Sequence, residues 1–480
     1  MLTFNVRKTG QMRSRLLIII FLSFSLKSVA QVRLPAIISS GMVLQQNDSA
    51  TLWGWGNPSE KILVTTSWDN KTDTAVVNNR ANWKIKVKTP SAGGPYKINL
   101  KGNINSIELS DIMIGEVWVC SGQSNMERSY WNGLEDIKKE IPTCYNNNIR
   151  FFHIPRTTAN HPQDDVKAEW KTCDSNSLKS FSAVGYFFGK KISTEMKVPV
   201  GLINASWSGT PAEVWTPEKI FDDDEELRLS AARLQSFRWW PNHDGLCYNA
   251  MIDPITKFTI AGTIWYQGES NITNNDTYYK LFTTMIKSWR DAWKINFPFY
   301  YVQIAPYKYG LNNVGALVQE AQTKSLSLPG TGMVVITDLV DNVENIHPNN
   351  KHDVGLRLAN YALAETYKQK GIAYKSPMYK SKTTNKNQVI LSFDNVLKGF
   401  KENDAITGFS IFDTKTEQWF DAQAKIEKDK IIVWSDKASS PAQVRYGFGN
   451  TIIGNVFSKE GLPLCPFRTD HWDVDQSPVK

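Results

Sequence analysis

A parallel α/β core between two antiparallel β-regions is the architecture expected of this sequence, and three patterns carry that expectation. Residues 31 to about 105 alternate apolar and polar side chains in short runs broken by turn residues. From about 111 to 370, short β-branched and aromatic runs alternate with stretches of helical periodicity. After about 385 the short strand-like runs return and continue almost to the end. Strand–helix alternation implies a parallel sheet covered on both faces, because the crossover helices must lie against it. With 480 residues, 41% hydrophobic and 21% charged, the chain can bury several cores. At about 150 residues per domain it holds roughly two to four.

The first thirty residues stand apart. Arg13 and Arg15 precede the apolar run Leu16 to Leu26, and Ser28-Val29-Ala30 offers a small-residue cleavage site before Gln31. That is the layout of a cleavable secretory signal, too short to span a membrane convincingly. No Cys follows the run to carry a lipid anchor, and no later stretch is long enough to cross a bilayer. A periplasmic or secreted protein without membrane insertion is therefore expected. Five basic residues and no acid fall within 1–30, so the formal +8 becomes +3 without them. The pI near 8.9 thus carries no argument for nucleic acid as a partner.

The N-terminal region, 31–108, reads as a small antiparallel domain. Its strands include Ala50 to Trp55, Ile62 to Thr66 and Trp83 to Val87, with turns at Asn57-Pro58 and Gly93-Gly94-Pro95. The central region, 109–375, begins with the strand Glu116 to Cys120. Val184, Phe187, Phe188 and Ile192 then recur at helical spacing and lead into the strand Val200 to Ile203. Ile260 to Tyr266 is a further strand, and Tyr278, Leu281, Phe282, Met285 and Trp289 mark the next helix face. Phe299 to Ile304 and Met333 to Thr337 add two strands, with a helix between them near Val314 to Leu326. The last region, 376–480, is β-rich, with Val389 to Phe393 and Ile431 to Trp434 among its strands. No internal repeat or low-complexity segment interrupts this order.

Five widely spread cysteines (Cys120, Cys144, Cys173, Cys247, Cys465) show no CxxC and no metal-ligand spacing. No metal and no organic cofactor is expected. An exported chain permits one or two disulfides, with a pairing that spacing does not reveal. Cys120, inside the first core strand, reads as a small core residue.

In an open parallel sheet the ligand site lies beyond the carboxyl ends of the strands. Four polar, Gly-containing or turn-rich loops fall there: Gly122 to Met126, Asn204 to Thr210, Gln267 to Asn271 and Asp338 to Pro348. A strand that breaks at Gly122 with Ser124 just beyond lifts a hydroxyl above the sheet, where an esterase needs its nucleophile. A serine hydroxyl needs an imidazole to take its proton. Of the six histidines, only His347 lies in a strand-end loop of the α/β region.

Three blocks resemble, in order and spacing, the sialate O-acetylesterase-like branch of the SGNH hydrolases. They are Gly122-Gln123-Ser124-Asn125-Met126, Trp265-Tyr266-Gln267-Gly268-Glu269-Ser270-Asn271 and Ile346-His347-Pro348. Gly201 to Asn204, Thr210 to Glu213, Glu460 to Pro463 and Pro466 to Asp470 are also similar to that group, over about 31 to 471. The resemblance implies an SGNH-type, flavodoxin-like sheet carrying an exported serine esterase. Its expected substrate is an O-acetylated carbohydrate, first O-acetylated sialic acid and alternatively acetyl xylan or another plant polysaccharide. A non-catalytic carbohydrate-binding protein on the same scaffold is the rival of another class.

Carried over, Ser124 is the nucleophile and His347 the base. The N–H groups of Ser124 and Gly209 and the side-chain amide of Gln267 are the oxyanion-hole candidates. SGNH enzymes commonly place an Asp three residues before the His; here that position is Glu344, with Asp338 and Asp341 competing in the same loop, and a Ser-His dyad supported by backbone carbonyls, as in some relatives, is the alternative without an acid. Ser208 and Val340 stand where relatives usually carry Gly. Asn125, Arg128 and Trp207 are the substrate-binding candidates, Arg128 for a sugar carboxylate and Trp207 for stacking on a sugar face. Most of the seventeen tryptophans are expected in cores. The sequons at Asn204 and Asn271 lie inside site loops and read as accidental. Sequence is silent on oligomeric state.

Overall fold

A computed structural model of the chain describes residues 31–479; the expected signal peptide, residues 1–30, lies outside the described residues. Its centre is a seven-strand sheet. The strands are β1 (Ser106–Gly122), β2 (Asn146–His153), β3 (Trp170–Cys173), β4 (Val200–Ser206), β5 (Gly262–Tyr266), β6 (Phe299–Val302) and β7 (Thr331–Val334). They lie in the order β7-β6-β5-β1-β4-β2-β3. All neighbouring pairs are parallel except β2–β3 at the edge. The chain fills one side of β1 and then crosses to the other, which makes the carboxyl end of β1 the switch point where such sheets bind ligands.

Period-two alternation puts the two faces of β1 into different cores. Val117 and Val119 join Ile203, Trp265 and Tyr301 on one face. There Tyr278, Phe282, Met285 and Trp289 of helix α2 (Asn275–Trp293) and Val318 of α3 (Val314–Lys324) cover them. Trp118 and Cys120 join Leu202, Ile264 and Tyr300 on the other face. Val184, Phe187 and Phe188 of α1 (Ala183–Met196) and Val354 and Leu358 of α4 (Lys351–Tyr361) cover that side.

The N-terminal region grows out of the same long strand. The first part of β1 pairs antiparallel with Gly93–Lys101, so β1 runs without a break through the expected boundary near residue 108. Gly93-Gly94-Pro95 is part of that partner strand, at a register shift, and not a turn between strands. Gln45 and Gln46 both donate to Glu116 (2.9 and 2.6 Å), which anchors the region to the sheet.

Two four-stranded antiparallel sheets form the C-terminal region around Leu391, Ile411, Ile431, Val433 and Val444. It is tied back to α3 by Arg468 on Glu320, 2.9 Å and largely buried on both sides. All five cysteines are buried and unbonded, and Cys120 is fully enclosed as expected of a core residue. No helix among the described residues is long and apolar enough to cross a membrane.

Candidate active site

The site is assembled by register. Gly122 pairs with Ser206 of β4 and with Tyr266 of β5, so three adjacent strands end at one level. The loops that follow them therefore start side by side. Gln123 N–H donates to the Tyr266 carbonyl and Trp207 N–H to the Gly122 carbonyl (2.9 and 3.1 Å), which locks the loops together. Gly122 has φ +131°, and a Cβ there would stand 2.2 Å from the Tyr266 oxygen. Only glycine permits this turn.

Ser124 opens a one-turn helix, Ser124–Glu127, and is 8% exposed. Its Oγ lies 2.9 Å from His347 Nε2, across 223 residues of sequence. The first N–H groups of a helix have no intrahelical acceptor, so the Ser124 N–H is available to an oxyanion. The Gly209 N–H donates to nothing among the described residues, while its carbonyl accepts from Ser270 Oγ at 2.9 Å. Gly209 has φ +80°, and Trp240 packs so closely that a Cβ would stand 2.3 Å from its ring.

Burial, then Arg128 and Lys351, hold the His347 imidazole down at about 4. The ring is thus neutral, the form a base requires, through most of the acid range. If His347 is the base, the acid limb of kcat/KM should fall near pH 4. An unperturbed histidine would place it near about 6.5. Initial rates between pH 3 and 8 check this.

Several expected residues occupy other positions. Glu344 does not reach His347: it is 66% exposed and its carboxylate takes Lys308 Nζ at 3.0 Å. Asp338 makes a bidentate pair with Arg357 (2.7 and 2.5 Å), and Asp341 accepts from Asn349 at 2.8 Å. No carboxylate contacts the imidazole among the described residues. Gln267 is also corrected. Its Nε2 spends both protons, on Asn271 Oδ1 (2.7 Å) and the Thr210 carbonyl (3.3 Å), and its Oε1 accepts from Tyr278 at 2.9 Å. At 0% exposure it braces two loops and offers no donor to substrate.

Asn125, expected to touch substrate, is likewise 0% exposed. Both ends of its amide are engaged, with Lys351, Glu269 and the Ile346 carbonyl. Asn204 and Asn271 are fully buried, in keeping with accidental sequons.

Arg128 remains open. It is half-buried, and its guanidinium pairs with no carboxylate among the described residues and donates only to the Asn132 carbonyl at 3.3 Å. Its Nε is buried without a partner. Trp207 is half-buried beside the turn, and its indole Nε1 has no partner. Trp215 and Trp265 are core residues in edge-to-face contact at 6.2 Å. Trp239 is 72% exposed.

Sequence reasoning missed Glu127 and Lys351. Glu127 takes Arg156 at 2.6 Å and holds the 207–210 loop through the N–H (2.8 Å) and hydroxyl of Ser208. Lys351 is wholly buried beneath the nucleophile turn. Neither carries a local signal, since acidic and basic residues default to solvent. No group of His, Cys, Asp or Glu among the described residues has a metal-binding arrangement.

A family profile described as carbohydrate esterase, sialic acid-specific acetylesterase, matches residues 114–364. Human sialate O-acetylesterase is 28% identical over 383 residues, covering 72% of this chain and 73% of that protein. The mouse protein is 27% identical over 410 residues, covering 72% of this chain and 76% of its own length. The crystal structure of a carbohydrate acetylesterase from Xanthomonas citri superimposes with a TM-score of 0.83 at 32% identity. That alignment covers 92% of this chain and all of the other.

Proposed function

Because the chain belongs to the carbohydrate esterase family of sialic acid-specific acetylesterases, we propose that it removes acetyl groups from O-acetylated sialic acid through a Ser124–His347 acyl-enzyme. The 2.9 Å contact between Ser124 Oγ and His347 Nε2 carries this reading. His347 takes the hydroxyl proton as Oγ attacks the acetyl carbonyl. The N–H groups of Ser124 and Gly209 receive the oxyanion. The imidazolium then protonates the departing sugar oxygen, leaving an acetyl ester on Ser124. Water, deprotonated by the same imidazole, attacks that ester, and acetate leaves with Ser124 regenerated. The leader-like residues Arg13 to Ala30 support export as the route to an extracytoplasmic glycan.

Choice of a sialic acid over a neutral sugar rests on Arg128. A half-buried guanidinium four residues after Ser124 that pairs with no carboxylate among the described residues matches the planar carboxylate of such a sugar. Hydrogen bonds to charged groups are worth about 1.5–3 kcal/mol, or roughly 10–100-fold. Arg128→Gln should therefore raise KM for O-acetylated sialic acid by about that factor and leave acetyl xylan unaffected. The same change removes one of the charges that depress His347, so the acid limb should shift upward from about 4.

Acetate release by the purified mature protein, beside Ser124→Ala, tests the function directly on O-acetylated sialic acid and on acetyl xylan. Loss in the mutant with preference for the sialic acid supports the whole reading. Preference for xylan rejects the substrate and keeps the esterase, and release that survives in Ser124→Ala rejects the nucleophile.

A further inference from the structure

A buried chain of charges lies beneath the catalytic pair and takes no part in the steps above. Lys351, the first residue of α4, is 0% exposed. Its Nζ donates to Asn125 Oδ1 at 2.6 Å and stands 5.3 Å from the centroid of the Tyr266 ring. The Nζ contacts no carboxylate among the described residues, while the backbone N–H of Lys351 donates to Asp136 Oδ2 at 3.1 Å. Asn125 Nδ2 donates in turn to Glu269 Oε1 at 2.6 Å and to the Ile346 carbonyl at 3.1 Å. Glu269 is 5% exposed, and its Oε2 has no partner among the described residues. One amide thus joins the nucleophile turn, the loop after β5 and the segment carrying His347.

Burying an ammonium and a carboxylate with only an amide between them is costly and is easily replaced by apolar packing. The chemistry of the three groups suggests what the arrangement provides. An ammonium can only donate and a carboxylate can only accept. The Asn125 amide between them therefore has one permitted orientation, which always turns Nδ2 toward the carbonyl preceding His347. The backbone on the other side is also held, since His347 N–H donates to Asn345 Oδ1 at 3.0 Å. The imidazole has no carboxylate partner among the described residues, so its placement depends on this backbone.

We propose that Lys351 and Glu269 are positioning residues that act through Asn125 and the Ile346 carbonyl to hold His347 over Ser124, the task a triad carboxylate performs elsewhere. The proposal rests on the Ser124–His347 reading. It also predicts a basic limb. Burial, with Arg128 nearby, lowers Lys351 to about 7, while Glu269, Asp136 and Asp341 oppose the shift. Burial also pushes Glu269 upward and Tyr266, whose ring faces the ammonium, far above its ordinary value, and His347 is a further titratable neighbour. Lys351 is charged below that value. As pH rises through it, the charge-assisted bond from Nζ to Asn125 Oδ1 is lost and the neutral amine can accept as well as donate, so Glu269 alone still orients the amide and the brace on the Ile346 carbonyl weakens.

The experiment measures kcat and KM for 4-nitrophenyl acetate from pH 5 to 9 in three proteins. These are the wild type, Lys351→Met and the double variant Asn125→Asp/Glu269→Gln. Circular dichroism checks folding, and Ser124→Ala serves as the blank. The double variant still satisfies Lys351 and keeps an amide–carboxylate pair, but it leaves no donor for Ile346. A misplacement of about 1 Å costs on the order of 10²-fold in rate. Both variants should lose about that in kcat with KM within threefold of wild type, and the basic limb near pH 7 should disappear in Lys351→Met. A folded double variant with wild-type kcat, or a basic limb that persists in Lys351→Met, overturns the proposal. If Lys351→Met does not fold, the double variant decides alone. Full activity in Ser124→Ala overturns the underlying catalytic pair instead, so the two failures are distinguishable.

Discussion

Replacing Ser124 by alanine is expected to lower kcat for acetate release by about 10⁴–10⁶-fold, and His347→Ala should do the same, with no further loss when both are changed. The expectation follows from shared function. A hydroxyl without a base is a poor nucleophile, and an imidazole that faces a methyl group in place of Ser124 Oγ has no proton to take. What survives in either variant is the contribution of the oxyanion donors and of binding, which still exceeds water alone by about 10³–10⁴. Ser124→Ala removes a single oxygen, and His347 is only half-buried near the end of its loop, so stability should change by no more than about 1 kcal/mol. Single-turnover acetate release from the purified variants, with mass spectrometry for an acetyl group on Ser124, makes the measurement. Losses that multiply in the double variant would show that the two residues act separately.

Gly122→Ala should produce the second-largest effect, although the residue touches no substrate. Its φ of +131° is available to glycine alone, and the added methyl would stand 2.2 Å from the Tyr266 carbonyl. Strain of about 1–3 kcal/mol adds to a similar overpacking cost. A loss of about 2–5 kcal/mol in unfolding free energy is expected from urea titration. Relief of the clash must also push β1 and β5 apart where Ser124 is launched, so kcat should fall at least about 10²-fold. A variant with wild-type stability and rate would mean that register at Gly122 does not set the site.

Much of this molecule was readable because its signals are local. The alternation of Trp118 and Cys120 against Val117 and Val119 encodes a strand buried on both faces. The spacing of Tyr278, Phe282, Met285 and Trp289 encodes a helix stripe. Gly122 and Ser124 announced a strand-end turn, and the polar loop carrying His347 followed another strand. Side-chain direction within the loops was another matter. Glu344 has the spacing of a triad acid yet faces Lys308, and Gln267 has the chemistry of an oxyanion donor yet points into the protein at Asn271.

The sequence by itself indicated strands β1 and β4 to β7 with helices α1 to α3 between them, the strand ends where a site could form, and the residues Ser124 and His347 that stand there, whereas β2 and β3 went unread. Tertiary structure alone decided which side chains of each loop face the cleft, which are turned inward as braces, and that Lys351 lies buried under the nucleophile. The physical reason is range. Periodicity and turn chemistry act within a few residues and fix the path of the backbone. The orientation of Asn125, by contrast, depends on Glu269 and Lys351, which come from segments 144 and 226 residues away.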